Sequence, residues 1–239
     1  MAIYGAMFKV LRELKLFFLD SLFPHRCSVC NKEGDALCRR CEALIRPLET
    51  QYCIGCGKPS FSGLTHSTCK TNQAADGLIS AYPYREVSKL IIEGKYNFIS
   101  RIFEIFGAHT ADFLLSLGLK DNFKDFLVTA LPLSRSRLRW RGFNQSYITA
   151  NALASKMQLP YKELLLRDKH KKSQKDLTRE ERKLNVANAF TLNPFSNIKG
   201  KNILLVDDVV TTGFTLHEAV KVLKRNGAGE VWCMTIARD

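Results

Sequence analysis

Several familiar signatures are missing from this chain of 239 residues. No run of 18 apolar residues occurs, which argues against a membrane-spanning helix. The opening stretch MAIYGAMFKVLRELKLFFLDSLFPHRC has no uninterrupted apolar core, because Lys9, Arg12, Glu13, Lys15 and Asp20 break it up. A secretory signal is therefore not expected. There is no G-x-x-x-x-G-K-[ST] and no G-x-G-x-x-G, which argues against a P-loop and a dinucleotide fingerprint. Acidic residues are in short supply, 23 against 36 lysines and arginines, for a net charge of +13 and a pI near 9.5. That excess suits an anionic partner: nucleic acid, a phosphate-rich small molecule or an anionic membrane surface. Low hydrophobicity is not among the shortages. At 46% hydrophobic and 25% charged, the composition is that of an ordinary globular protein.

Cysteine is nearly confined to one stretch. Seven of the eight lie between positions 27 and 69, six of them in C-x-x-C pairs and Cys69 in an H-x-x-C. In a reducing compartment such pairs bind metal rather than form disulfides. Cys27, Cys30, Cys38 and Cys41 make a closed four-thiolate set, which zinc prefers and which leaves no position open for chemistry. Cys53, Cys56, His66 and Cys69 make a second set, with a histidine in the fourth place. It is either a second zinc site or the residue of a lost one. One or two structural zinc ions are expected. Cys233 reads as a buried small hydrophobe.

Residues 6–23 carry Phe8, Leu11, Phe18 and Leu22 at helical spacing and end at Pro24. Such a helix docks on its own protein, or lies on a membrane surface or a partner. Three regions are expected: a helix over 1–24, a zinc module over 25–72 and a larger domain over 76–239. In that domain strands are expected at 78–84, 125–133, 162–168, 188–192, 201–208 and 230–238. Helices are expected from 87, over 102–119, 146–157 and 215–226. Arg135 to Gln145 reads as a basic loop, and 169–185 as a charged loop or short helix. Strands alternating with helices predict an α/β fold with a mostly parallel, covered sheet.

The most informative stretch is ILLVDDVVTTGFTLHEA, residues 203–219. An apolar strand runs into Asp207 and Asp208, at the strand end where open α/β sheets bind ligands. Thr215 and Glu218 have the spacing of a capping box, which puts Thr211, Thr212, Gly213 and Thr215 at a helix N-terminus. Free N–H groups and hydroxyls there favour a phosphate. Two carboxylates would repel a bare phosphate. They suit a phosphorylated ribose, whose hydroxyls or whose magnesium ion they can hold.

On these residues ILLVDDVVTTGFT resembles the phosphoribosyl pyrophosphate (PRPP) motif of type I phosphoribosyltransferases. LPLSRSRLRWRGFNQS, SQKDLTREERKLNVANAF and LDSLFPHRCSVC resemble segments of the ComF family. The likeness spans nearly the whole chain. It implies a Rossmann-like type I phosphoribosyltransferase fold behind a small N-terminal zinc-binding module. It implies that Asp207 and Asp208 hold the ribose hydroxyls, that Thr211, Thr212, Gly213 and Thr215 hold the 5′-phosphate, and that Leu133, Ser134 and Arg135 take pyrophosphate with Mg2+. Purine-salvage enzymes carry an aspartate in the cradle as base. Thr211 stands there instead, so no catalytic residue is assigned. Arg135, Arg137, Arg139 and Arg141 alternate, and as a strand they would share one face. They serve pyrophosphate or a nucleic-acid backbone. The stretch 167–183, with Lys171 and Lys172, is either a solvated loop or a surface for single-stranded DNA, with Trp140 and Phe143 available to stack on bases. The family implies a cytoplasmic role in natural transformation, handling incoming single-stranded DNA beside a ComFA-type helicase, with peripheral contact at the inner face of the membrane through the first helix. The alternatives are an active phosphoribosyltransferase serving a base or amine, and a non-catalytic assembly adaptor.

Overall fold

The computed structural model describes residues 26–167 and 189–239. The expected first helix and the whole charged stretch 169–185, with Lys171 and Lys172, lie outside the described residues. The chain divides into two compact units, one ending at Leu44 and the other running Ile45–Asp239.

The first unit is built on its cysteines. A tight turn at Cys27–Asn31 is closed by the Asn31 N–H donating to the Cys27 carbonyl at 2.8 Å. One helical turn, α1 (Arg39–Glu42), carries Cys41 inward. Only Cys27, Ala36, Leu37 and Cys41 are buried apolar residues among those described here.

The second unit holds a four-stranded parallel sheet in the order β1-β6-β5-β2, made of β1 (Gly77–Pro83), β2 (Leu127–Ala130), β5 (Ile203–Val210) and β6 (Val231–Arg238). A separate antiparallel pair joins β3 (Leu165–Arg167) to β4 (Phe190–Leu192). The helices are α2 (Tyr84–Tyr96), α3 (Arg101–Ser116), α4 (Lys120–Phe123), α5 (Arg135–Arg141), α6 (Gln145–Met157) and α7 (Phe214–Arg225). Strand residues alternate between two cores, as the period of two requires. Ile203, Leu205 and Cys233 join Leu216, Val220 and Leu223 of α7. Leu204, Val206 and Met234 join Ala111 and Leu114 of α3 and Leu153 of α6. Both faces are covered, which explains the near-continuous apolar runs in β5 and β6. The edge strand β1 is covered as well: Leu48 N–H donates to the Ala81 carbonyl at 2.8 Å, and Gln51 exchanges two hydrogen bonds with the Ser80 backbone. Among the described residues no helix is long and apolar enough to cross a membrane.

Four local expectations need correction. The basic loop is a helix, α5. Ser134 caps it by accepting the Arg137 N–H, and Gly142 ends it in the left-handed conformation. These are ordinary start and stop signals that the density of charge obscures. On a helix, alternate positions do not share a face. Arg135, Arg137 and Arg139 are exposed whereas Arg141 is buried. The capping box does not form. Gly213, at φ 72°, is itself the cap, so Thr215 falls within the first turn and Glu218 pairs with Lys221 at 2.7 Å. The strand expected over 125–133 is only Leu127–Ala130, and the one expected over 162–168 only Leu165–Arg167. Finally, β5 runs two residues past the acidic pair, to Val210, because its neighbour β6 continues the ladder beyond the end of β2: Val209 faces Ala237 and Val210 faces Arg238.

Candidate functional site: an acidic pair, a cradle and two metal knuckles

Asp207 and Asp208 lie in β5 and are almost fully buried, at 9% and 6% exposure. Ser146, in the first turn of α6, donates its hydroxyl to Asp207 Oδ1 at 2.7 Å, and the Asp208 N–H donates to the same oxygen at 2.9 Å. Lys95, near the end of α2, forms an ion pair with Asp208 Oδ2. That oxygen accepts no hydrogen bond of good geometry. Lys95 therefore meets its charge without satisfying its directional demand, and the oxygen is suited to a further cation or hydroxyl. Burial, and next the charge of Asp208, push the Asp207 carboxyl from 3.8 up to about 7. The Ser146 hydroxyl pulls the other way but does not win. Arg167, at the end of β3, lies within electrostatic reach of Asp207, and its guanidinium stands 5.3 Å from the Phe190 ring centre.

The cradle follows directly. Thr211 and Thr212 are exposed, and Gly213 turns the chain into α7. The left-handed φ of Gly213 is the reason for glycine here. The predicted pyrophosphate segment divides. Leu133 and Arg135 line a cavity of about 650 Å³ together with Tyr147, Tyr161 and Arg167, whereas the Ser134 hydroxyl caps α5. Neither aspartate lines that cavity.

Of the residues expected to meet nucleic acid, Arg137, Arg139 and Trp140 are exposed on α5. Arg141 is turned inward and donates to Gln145 at 2.6 Å. Phe143 packs on Phe103, with ring centres 5.9 Å apart. Two aromatic residues that the sequence did not single out join Trp140: Tyr96 and Phe98, each with ring centres 5.5 Å away. All three are more than half exposed. Phe98 has φ 60°, a strained setting for a bulky side chain. Lys95 and Ser146 were not singled out, and Arg167 figured only as the first residue of a basic stretch; they come from elements remote in sequence, so their meeting with the acidic pair is not a local signal.

The metal-ligand sets both assemble. In each, the four ligand atoms lie within 4.8 Å of one another. In the first, the Cys38 N–H points at Cys27 Sγ at 3.4 Å, and Cys30 Sγ stands 3.7 Å from Cys38 Sγ. Burial works to raise the Cys27 thiol, but backbone donors at Cys38, Cys30 and Val29 outweigh it and bring it down to about 6. Burial and the neighbouring thiols push Cys41 up to about 12. Four sulfurs this close cannot all ionise without a cation among them, so the donor set fits zinc. In the second set the His66 N–H points at Cys53 Sγ, and His66 Nδ1 stands 3.3 Å from Cys56 Sγ. His66 Nε2 lies 3.1 Å from the Pro59 carbonyl, which can only accept. That assigns the proton to Nε2 and leaves the Nδ1 lone pair for a metal. Cys233 is buried in β6, and burial pushes its thiol up.

Residues 144–239 match the phosphoribosyl transferase domain model, and residues 18–71 match the double zinc ribbon domain model. The chain is 29% identical to Competence protein ComFC of Bacillus subtilis (strain 168), over 87% of this chain and 86% of that one. It is 27% identical to Competence protein F of Haemophilus influenzae, over 91% of this chain and 99% of that one. A shorter match, 36% identical over 45% of this chain and 48% of the relative, is to DNA utilization protein YhgH of Escherichia coli (strain K12). Over most of its length the chain is thus similar to the ComF-type competence proteins, and it combines a stretch matching a phosphoribosyl transferase domain with a preceding stretch matching a double zinc ribbon.

Proposed function

We propose that this protein binds PRPP, or a closely related phosphorylated ribose, with Mg2+, and that it handles single-stranded DNA during DNA uptake. The observation that carries the first part is the buried Asp207–Asp208 pair set beside the Gly213 turn at the start of α7. In this reading the two carboxylates accept the ribose hydroxyls. Thr211, Thr212, Gly213 and Thr215 hold the 5′-phosphate, and Leu133, Ser134 and Arg135 face the pyrophosphate, with Arg167 nearby. Mg2+ would sit on the acidic pair and neutralise pyrophosphate charge. The poorly satisfied Asp208 Oδ2 supports such an occupant. The competence role comes from the names of the relatives and from the basic, aromatic surface around α5. That surface consists of Arg137, Arg139 and Trp140, extended by Tyr96 and Phe98. No acidic side chain stands between Leu131 and Thr149.

The test is thermal unfolding with and without ligand. Mg2+ and PRPP together should raise the melting temperature, as anything that binds only the folded state does. An unchanged melting temperature would count against the proposal. Turnover is not part of it, since no cradle side chain is placed as a base. Sustained pyrophosphate release on adding a base or amine would replace it with an active transferase.

A pH dependence follows from Asp207. Its carboxyl is raised, so between its ordinary 3.8 and about 7 the folded state keeps a proton that the unfolded chain releases. Without ligand, the contribution to stability falls as pH rises through that window. Binding of Mg2+ needs the carboxylate, so affinity for Mg2+ with PRPP is expected to rise between pH 6 and 8. Affinity measured by calorimetry across that range checks it, and a flat profile would contradict it.

A further inference from the structure

The second metal knuckle bears directly on the cradle. Ile54 lies between Cys53 and Cys56, inside the metal-binding turn. A Cβ built on Gly213 would stand 3.4 Å from Ile54 Cγ1 and 3.7 Å from the Ile54 carbonyl oxygen. Ile54 also packs against the core cluster that contains Val210, just before the cradle, and Leu216, just after it. The knuckle touches the end of the neighbouring strand too. The Arg238 guanidinium lies 4.9 Å from the Tyr52 ring centre, and a Cβ on Gly57 would stand 3.6 Å from Arg238 Nη2. The next residue, Asp239, donates its N–H to the Val210 carbonyl at 3.0 Å. The backbone entering the cradle and the glycine within it are therefore both braced by this corner of the molecule.

What fixes Ile54 is the ligand set around it. A Cβ on Gly55 would come within 2.8 Å of Cys69 Cβ and 3.3 Å of Cys69 Sγ. The turn carrying Ile54 is thus pressed against a metal ligand on one side and the cradle on the other. The unit's own scaffold holds the base of the turn, through the two hydrogen bonds between Gln51 and Ser80.

We infer that Ile54, held by the Cys53, Cys56, His66 and Cys69 knuckle, is a positioning residue for the phosphate cradle, so that the knuckle metal and the phosphorylated ligand bind cooperatively. The metal sets the turn, and the turn sets the backbone at Gly213. That backbone aims the free N–H groups at the start of α7 toward a phosphate. The inference rests on reading the cradle as a phosphoribosyl site. Coupling of this kind is reciprocal. A metal that tightens the cradle for ligand is itself held more tightly when ligand is bound.

The test uses the full zinc-loaded chain and PRPP with Mg2+. Ile54→Ala is expected to weaken PRPP binding about tenfold with zinc content unchanged, whereas Ile54→Val keeps most of the affinity. A fold defect would be shared by both variants and would show in the metal content. A second measurement needs no variant: PRPP should slow the release of one of two zinc ions to a chromogenic chelator and leave the other unaffected. If Ile54→Ala binds PRPP as the wild type does, or both zinc ions leave at the same rate with and without PRPP, the inference is overturned while the ligand reading stands. If the wild type binds no PRPP at all, the ligand reading fails and this inference fails with it.

Discussion

Removing zinc with a strong chelator is expected to unfold residues 26–44 while leaving the parallel sheet intact. Few forces other than metal ligation are available there. Ala36 and Leu37 are the only non-cysteine hydrophobic residues buried among residues 26–44. So small a core cannot offset the entropy of ordering the segment. A structural zinc on four thiolates contributes about 10–16 kcal/mol at neutral pH, enough to reverse the balance. The second unit differs, because two clusters of buried side chains lie on opposite faces of its sheet. Hydrogen exchange before and after chelation reads the two units separately. Loss of protection at Cys27–Glu42 with retained protection in β5 and β6 is the expected outcome. Metal analysis should return two zinc ions per chain. Undiminished protection around Cys38 in metal-free protein would show that the segment folds without zinc.

Reversing charge at Arg137 and Arg139 together is expected to weaken single-stranded DNA binding and to flatten its salt dependence. Each side chain that neutralises a phosphate releases counterions, so losing two should reduce the slope of log affinity against log salt by about 1–2. Truncating Tyr96, Phe98 and Trp140 to alanine should act differently. Base stacking is worth about 1–3 kcal/mol per base and does not depend on counterions, so affinity should fall with the slope retained. Arg141 serves as a control. It is buried against Gln145, so its loss should disturb folding rather than the salt slope. An unchanged slope in the double charge reversal would remove α5 from the DNA surface.

Sequence and structure agree best where periodicity is strong. The apolar run Ile203–Val206 and the helical spacing in Leu216–Leu223 are local signals, and both elements form nearly as expected. The cysteine sets were legible because their spacing is itself the geometry of a knuckle. Agreement fails where capping outweighs composition. A run with arginine at every second position reads as a loop, yet one serine and one glycine are enough to make it helix α5. It fails again where the site is assembled from distant segments. Nothing near Lys95 foretells an ion pair with Asp208, because that contact exists only once α2 and β5 are brought together. The strained Phe98 likewise becomes meaningful only beside Trp140. Ile54 was hidden for a simpler reason: between two metal ligands, an apolar residue reads as filler.

Calorimetry of PRPP with Mg2+ against the wild type and the Asp207→Asn, Asp208→Asn variant tests the ligand reading most directly. Both substitutions preserve shape and leave donors where acceptors stood, so they remove the charge without opening a cavity. Truncating charge-assisted hydrogen bonds of this kind costs about 1.5–3 kcal/mol each, which predicts at least a hundredfold loss of affinity for the pair. Binding of the wild type with loss in the double variant is the predicted result. Equal binding by the two proteins would show that the acidic pair is not the ligand site.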